Sequence, residues 1–259
     1  MPPVKRAAVV LIEREGADQA LARLQRVADA ARVELVDGDE ADIAIVLGGD
    51  GTMLRALARF LGTGVPVIGV NYGRVGFLTA IDADELETDV ARVFRGEYRT
   101  QSLATLEARV NGTTKVAVND LVVAAGTPGR LIELGYTIGG EDLGQQPCDG
   151  LICATPTGST AYNLSNGGPV LVWGLEAMAV TFIAPHALVI RPLVIPRDTD
   201  VTIANLTADV DTTVLVDGQP IGKLRRGEQA SVRIGDQHTL LATLPEVTFF
   251  TRYAATFGR

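Results

Sequence analysis

Ile43-Ala44-Ile45-Val46-Leu47-Gly48-Gly49-Asp50-Gly51-Thr52 is the stretch whose reading decides the fold. Five apolar residues in succession suit a strand covered on both faces, the usual state of a strand in a parallel sheet. The run stops at Gly-Gly-Asp-Gly, and residues 53–60 read as the helix that follows. Working outward, residues 7–12 form another continuous apolar run. Leu21, Leu24, Val27, Ala28 and Ala31 then recur at helical spacing, and residues 33–36 and 65–70 read as further strands. Asp82 is placed to cap a helix that buries Leu86, Val90, Val93 and Phe94. Strands alternating with helices predict an α/β domain with a parallel sheet over residues 1–100.

The pattern changes after residue 100. Leu106, Ala108 and Val110 alternate with Glu107 and Arg109, and Asn111-Gly112 is a tight-hairpin signal. Ile132, Leu134, Tyr136 and Ile138 alternate in the same way up to Gly139-Gly140. Short strands are expected at 180–183, 189–195, 201–204, 213–216, 230–234 and 239–244. An antiparallel β-sandwich over 101–245 follows, with 246–259 as a C-terminal segment, helical at 249–257, that packs back on the α/β domain.

The 259 residues carry 23 Lys and Arg against 31 Asp and Glu, a net charge of −8, with 47% hydrophobic and 21% charged residues. This is a globular composition, and its acidity argues against a sequence-independent nucleic-acid binder. No apolar run approaches the roughly 18–20 residues that span a bilayer, and the first residues lack a signal-peptide pattern, so no membrane partner is expected. Two cysteines, Cys148 and Cys153, and two histidines, His186 and His238, leave little for a disulfide framework, a resident metal centre or a Ser-His-Asp triad. The expected compartment is the reducing cytoplasm.

Chemistry concentrates in three segments. At the carboxyl end of a parallel strand, Gly48 and Gly49 let backbone approach a phosphate, and a helix starting near Thr52 offers unpaired N–H groups. Asp50 there suits a hydroxyl or a metal ion carried with phosphates; the alternative is a capped turn. Next, Thr155-Pro156-Thr157-Gly158-Ser159-Thr160-Ala161-Tyr162 follows the apolar strand after Asp149-Gly150. It clusters hydroxyls that suit a sugar, amide or phosphate, the alternative again being an ordinary capped turn. Third, Asn119-Asp120 interrupts an apolar strand pattern and can accept from ribose hydroxyls or an exocyclic amine, or else mark a bulge. Arg74 and Phe77 follow the 65–70 strand on the same rim as Asp50. They suit a phosphate and a base, or solvent and core respectively. His186 reads as a packed histidine. Asp217-Gly218 reads first as a turn, with a cleft-facing carboxylate as the second reading.

Together these segments resemble the NAD kinase family, in order and over most of the chain. The matching pieces are Gly48-Gly49-Asp50-Gly51-Thr52, the Gly-x-x-Gly-Phe segment ending at Phe77, and Asn119-Asp120. They continue with Asp149-Gly150, Thr155 to Tyr162, Ser165-x-Gly167-Gly168-Pro169, Pro185-His186 with Arg191-Pro192, and Val216-Asp217-Gly218-Gln219. The resemblance implies a Rossmann-like α/β domain plus a β-sandwich, NAD bound between them, and a homodimer or homotetramer. The implied reaction moves a phosphoryl group from ATP or polyphosphate to the adenosine 2′-hydroxyl of NAD, giving NADP, with Mg²⁺ or another divalent cation carried by the donor. Asp50 is then the base; Gly49, Gly51, Thr52, Phe77, Asn119, Asp120, Thr157, Thr160, Ala161, Tyr162 and Ser165 line the NAD pocket. Asp149 reaches NAD across a subunit interface, and Gly48, Gly49 and Arg74 face the donor phosphates. The family usually has Asn-Glu where this chain has Asn119-Asp120, and Gly or a larger polar residue where it has Pro147. A lipid or sugar kinase sharing the Gly-Gly-Asp-Gly turn, or a non-catalytic dinucleotide sensor, are the alternatives.

Overall fold

The computed structural model describes residues 1–11, 16–73, 76–127, 129–187 and 189–258. Two compact units emerge, residues 1–102 with 239–259, and residues 103–238. The second passage between them thus comes at 238/239, ahead of the 245/246 expected, because Leu241 pairs in parallel with Val67 and the Thr239 hydroxyl donates to the Leu57 carbonyl at 2.9 Å.

The first unit is a parallel sheet with helices. Strand Ile43–Gly48, buried at every position, lies between Arg6–Leu11 and Val67–Asn71. Glu34–Val36 extends one side and Ile81–Asp82 pairs with Val67–Asn71. Helix Ala17–Ala31 buries Ala20, Leu24, Val27 and Ala28, and helix Leu86–Phe94 buries Leu86, Val90, Val93 and Phe94 in one core with Ile45, Leu47 and Ile68. Asp82 makes no side-chain cap: a three-residue 3₁₀ turn, Ala83–Glu85, intervenes and the helix starts at Leu86. The last helix, Phe249–Phe257, is closed at its start by reciprocal Thr248–Thr251 hydrogen bonds. Its Phe249 meets Phe77 edge-on at 5.4 Å between ring centroids. Among the described residues no helix is long and apolar enough to cross a membrane.

The second unit is an antiparallel sandwich. One sheet runs in the order Leu193–Pro196, Ala177–Ile183, Gly150–Ala154, Asp120–Ala125, Thr212–Val216, Gln219–Leu224. The other contains Glu141–Cys148, Ile132–Ile138, Val201–Asn205 and the long strand Gln229–Thr243, with the hairpin Arg99–Val110 and Thr113–Ala117. Leu121, Val123, Leu151, Cys153 and Val214 of the first sheet share a core with Leu134, Ile203, Val232 and Ile234 of the second. Three expected strands differ in extent. Residues 189–195 shrink to a strand that starts at Leu193, after Pro192, which has no N–H for a ladder. Residues 230–234 and 239–244 merge into Gln229–Thr243, the polar stretch 235–238 between them continuing the strand.

Asn111-Gly112 and Asp217-Gly218 both form two-residue hairpin turns with positive φ at each residue, 48° and 79° in the first and 48° and 76° in the second. This is the geometry that favours Asn-Gly and Asp-Gly pairs.

Candidate functional site

In the first unit the chemistry gathers at the Gly48–Thr52 turn. The helix begins earlier than expected, spanning Asp50–Arg59 with Gly49 as its N-cap residue. Asp50 is therefore the first helical residue, where a carboxylate is favoured by the helix dipole and the first N–H groups have no intrahelical partner. A Cβ added at Gly49 or Gly51 would meet no atom within 4 Å, so this backbone is open to an approaching group. A Cβ at Gly48, by contrast, would lie 2.5 Å from the Thr52 hydroxyl. Thr52 is buried beneath the turn and its hydroxyl has no hydrogen-bond partner among the described residues.

The half-buried Asp50 side chain bends back toward the neighbouring rim. Its Oδ2 accepts from the Phe77 N–H at 2.7 Å and its Oδ1 from the Leu78 N–H at 3.0 Å. Gly76 permits this approach: a Cβ there would stand 2.3 Å from Asp50 Oδ1. A carboxylate has about four lone-pair positions, so two amide bonds fix its orientation and leave capacity for one hydroxyl. Phe77 itself is a core residue, 7% exposed and packed against Phe249 and Phe257, which is the apolar reading of that position. Arg74 lies outside the described residues.

The sequence reading missed Arg252. On the last helix, half-buried, it feels the negative charges of Asp82 and Asp50, while burial pulls its guanidinium below the usual value. A single cation on an amphipathic helix carries no signal that could have flagged it.

The second unit brings three motifs together from distant parts of the chain. The Asp217 carboxylate accepts from three successive backbone N–H groups, Val118 at 2.8 Å, Asn119 at 2.7 Å and Asp120 at 3.1 Å. Asp217 therefore points at the Asn119–Asp120 backbone and does not stand as a free carboxylate. On the carbonyl side, the Thr155 hydroxyl donates to Val118 O at 2.7 Å, and the Thr155 N–H donates to Asn119 O at 2.8 Å. Gly158 packs flush on the same strand end, where a Cβ would fall 2.1 Å from Asn119 O. The Asn119 Oδ1 is buried and, like Thr157 Oγ1, has no partner among the described residues. Asp120 is 6% exposed, and burial first, then the like charge of Asp217, pushes its carboxyl up to about 7. Burial also raises Asp217.

Other hydroxyls of the 155–162 segment are engaged internally. Ser159 donates to Pro156 O at 2.7 Å, and Thr160 donates to Thr157 O at 3.2 Å. Tyr162, Ala161 and Ser165 are exposed and open to a ligand. Asp149 is exposed at the other end of strand Gly150–Ala154, whose Ala154 faces Asp120 and whose Gly150 faces Ala124. Within one chain that is roughly 15 Å from Asn119–Asp120 at the rise of a β-strand. His186 is exposed, not packed, and its N–H donates to Pro147 O at 3.0 Å.

This chain matches the model of the ATP-NAD kinase N-terminal domain over residues 10–98 and that of the ATP-NAD kinase C-terminal domain over residues 118–244. The chain belongs to the ATP-NAD kinase family. It is similar to the NAD kinase of Gemmatimonas aurantiaca, with 40% identity over 223 residues, 84% of this chain and 77% of that protein. With the NAD kinase of Pectobacterium atrosepticum it shares 36% identity over 250 residues, 93% of this chain and 85% of the relative. Its fold is that of yeast NADH kinase complexed with NADH (TM-score 0.85, 22% identity, 99% of this chain and 88% of that one). It is likewise that of an Archaeoglobus fulgidus NAD kinase in complex with ATP (TM-score 0.78, 24% identity, 98% and 97%). As a family member the chain is an enzyme that phosphorylates NAD. Matches across both domains are not explained by a lipid or sugar kinase that shares only the Gly-Gly-Asp-Gly turn, and the relatives are named as enzymes, not sensors.

Proposed function

We propose that the chain moves the terminal phosphoryl group of ATP to the adenosine 2′-hydroxyl of NAD, giving NADP and ADP, with Asp50 accepting the hydroxyl proton. The observation that supports this reading is the Asp50 carboxylate, oriented by the Phe77 and Leu78 amides at a helix start whose glycines leave open space. Phosphoryl transfer needs positioning and charge neutralisation more than covalent help from the protein. The N–H groups of the first helical turn and the Arg252 guanidinium supply positive charge near Asp50. The divalent cation in this proposal is Mg²⁺ carried by the donor, since Mg²⁺ commonly keeps several waters and binds through substrate phosphates. When bound, that ion neutralises charge on the transferring phosphates.

Asn119 and Asp120 accept from the adenosine hydroxyls or exocyclic amine in this reading, and Thr157, Thr160, Ala161, Tyr162 and Ser165 line the dinucleotide. Asp149 reaches NAD from a neighbouring subunit of a homodimer or homotetramer, in keeping with its place at the far strand end. The enzyme works in the cytoplasm, where its two buried free thiols, Cys148 and Cys153, stay reduced. Purified protein given NAD or NADH as acceptor and ATP or polyphosphate as donor, with Mg²⁺, tests the proposal: NADP should form from NAD and ATP. Turnover with polyphosphate alone, or with NADH alone, would replace the donor or acceptor named here.

A further inference from the structure

We propose that Asp217 is a positioning residue for nucleotide recognition, fixing the Asn119 and Asp120 side chains without touching the nucleotide itself. The inference rests on the reading of Asn119–Asp120 as adenosine ligands and extends it to the residue that holds them.

A tight hairpin turn at 217–218 asks only for residues that tolerate positive φ. Asn111-Gly112 shows the minimum: Asn111 is exposed at the tip of its hairpin, and its side-chain amide donates to the Lys223 carbonyl at 2.9 Å. At Asp217 the same backbone turn carries a half-buried carboxylate that reaches a strand end some hundred residues earlier in the chain and takes three consecutive N–H groups there. No cation among the described residues pairs with it, and it stands beside a second buried carboxylate, Asp120. A desolvated, unpaired charge next to a like charge works against folding.

What the arrangement provides is complete use of one short backbone segment. The three N–H groups of Val118, Asn119 and Asp120 go to the Asp217 carboxylate. Their three carbonyls accept from the Thr155 hydroxyl, the Thr155 N–H and the Asp217 N–H, the last at 3.0 Å. Two residues therefore satisfy all six backbone groups, which leaves only side chains to meet a ligand. Those side chains, Asn119 Oδ1 and the Asp120 carboxylate, accept no hydrogen bond from the described residues. Two acceptors on a clamped backbone suit a ligand presenting paired donors, as ribose hydroxyls do.

Asp217→Asn, Asp217→Ala, Asp120→Asn and the double variant Asp120→Asn/Asp217→Asn test this by steady-state kinetics, calorimetric NAD binding and thermal unfolding. Asn-Gly is a favoured pair for this hairpin, and one carbonyl oxygen can keep the Asn119 and Asp120 N–H bonds, so Asp217→Asn is built to fold. The expected result is a KM and a Kd for NAD raised about tenfold with kcat within about threefold, since the charge and the Val118 bond are lost and the new amide NH₂ faces the Val118 N–H. Asp217→Ala should raise KM further, and the double variant no more than its worse single variant, because both act on one recognition element. A lower Tm with unchanged KM and Kd would make Asp217 merely structural and overturn the proposal, as would additive effects in the double variant. If Asp120→Asn raises KM and Asp217→Asn does not, positioning fails while the adenosine reading stands; if neither moves it, both fall.

Discussion

Two carboxylates in this molecule do a similar local job under different conditions. Asp50 accepts two backbone N–H groups at 2.7 and 3.0 Å, and Asp217 accepts three between 2.7 and 3.1 Å. Asp50 sits at a helix start, half-buried, beside glycines that leave room for another molecule. Asp217 sits in a hairpin turn beside a buried carboxylate, and the three amides that it accepts occupy it. The difference separates a group oriented for use from a group that orients others. Amide bonds alone do not distinguish the two; the space beside the carboxylate and its lone-pair capacity do.

Replacing Asp50 by Asn should give the largest effect, since Asn is close to isosteric but cannot accept a proton. With Asp50 as the base, kcat for NADP formation should fall by about 10²–10⁴, with Tm near that of wild type. A kcat within about threefold of wild type would leave Asp50 as a cap and end the contrast with Asp217. The next effect is expected at Gly76, where a Cβ would stand 2.3 Å from Asp50 Oδ1. Gly76→Ala should push the carboxylate off its amides and lower kcat by roughly 10², because small misplacements at a reacting group are costly. Equal activity in this variant would show that the Phe77 and Leu78 amides do not set the working orientation.

A smaller and sharper effect is expected at Gly51, an open helical glycine. Gly51→Ala should raise unfolding stability by about 0.5–1 kcal/mol, the usual helix gain over glycine. If donor phosphates use the open space, the KM for ATP rises in the same variant while the protein becomes more stable. A stabilised variant with unchanged KM would assign that space to solvent.

The smallest predicted effect is one of pH. Asp120 is pushed up to about 7 by burial and by Asp217, and among the described residues the buried thiol of Cys153 is a further titratable group that interacts with it. Ionised Asp120 accepts hydroxyl hydrogen bonds more strongly than the neutral acid, so KM for NAD should fall as pH rises through about 7. In Asp217→Asn, with the neighbouring charge gone, the fall should come at lower pH. Stability runs the other way. A carboxyl whose folded value lies above its unfolded value of 3.8 favours the folded state fully below that value and loses the advantage as pH climbs toward about 7. Chemical denaturation at several pH values should therefore show a slope across this window that Asp120→Asn reduces, the raised Asp217 carboxyl contributing the same sign.

Much of this was legible in the chain before any coordinates. Continuous apolar runs at 7–12 and 43–47 meant strands buried on both faces, and alternation after residue 100 meant a sheet covered on one face; Ile43–Gly48 is buried throughout and residues 106–110 alternate, whereas Val9, Val10 and Leu11 are only half-buried. Glycine-rich turns and adjacent polar residues inside apolar patterns marked Gly48–Thr52, Asn119–Asp120 and Thr155–Tyr162. What could not be read is where side chains end up. Phe77 read as a base contact or as core, and only neighbours such as Phe249, far along the chain, put it in the core; Thr52 read as a pocket residue and is buried beneath its turn. Asp217 looked like a turn residue and is one, yet its carboxylate serves a strand end about a hundred positions away.

Periodicity and backbone preference are local properties, so the order of residues by itself determined the two kinds of domain, most of the strands and helices, and which short segments hold the polar chemistry. Direction and proximity of side chains depend on what distant segments bring alongside. The tertiary structure alone therefore decided that Asp50 is oriented by the Phe77 and Leu78 amides, that Asp217 and Thr155 share the backbone of residues 118–120, and that Arg252 joins the surroundings of Asp50.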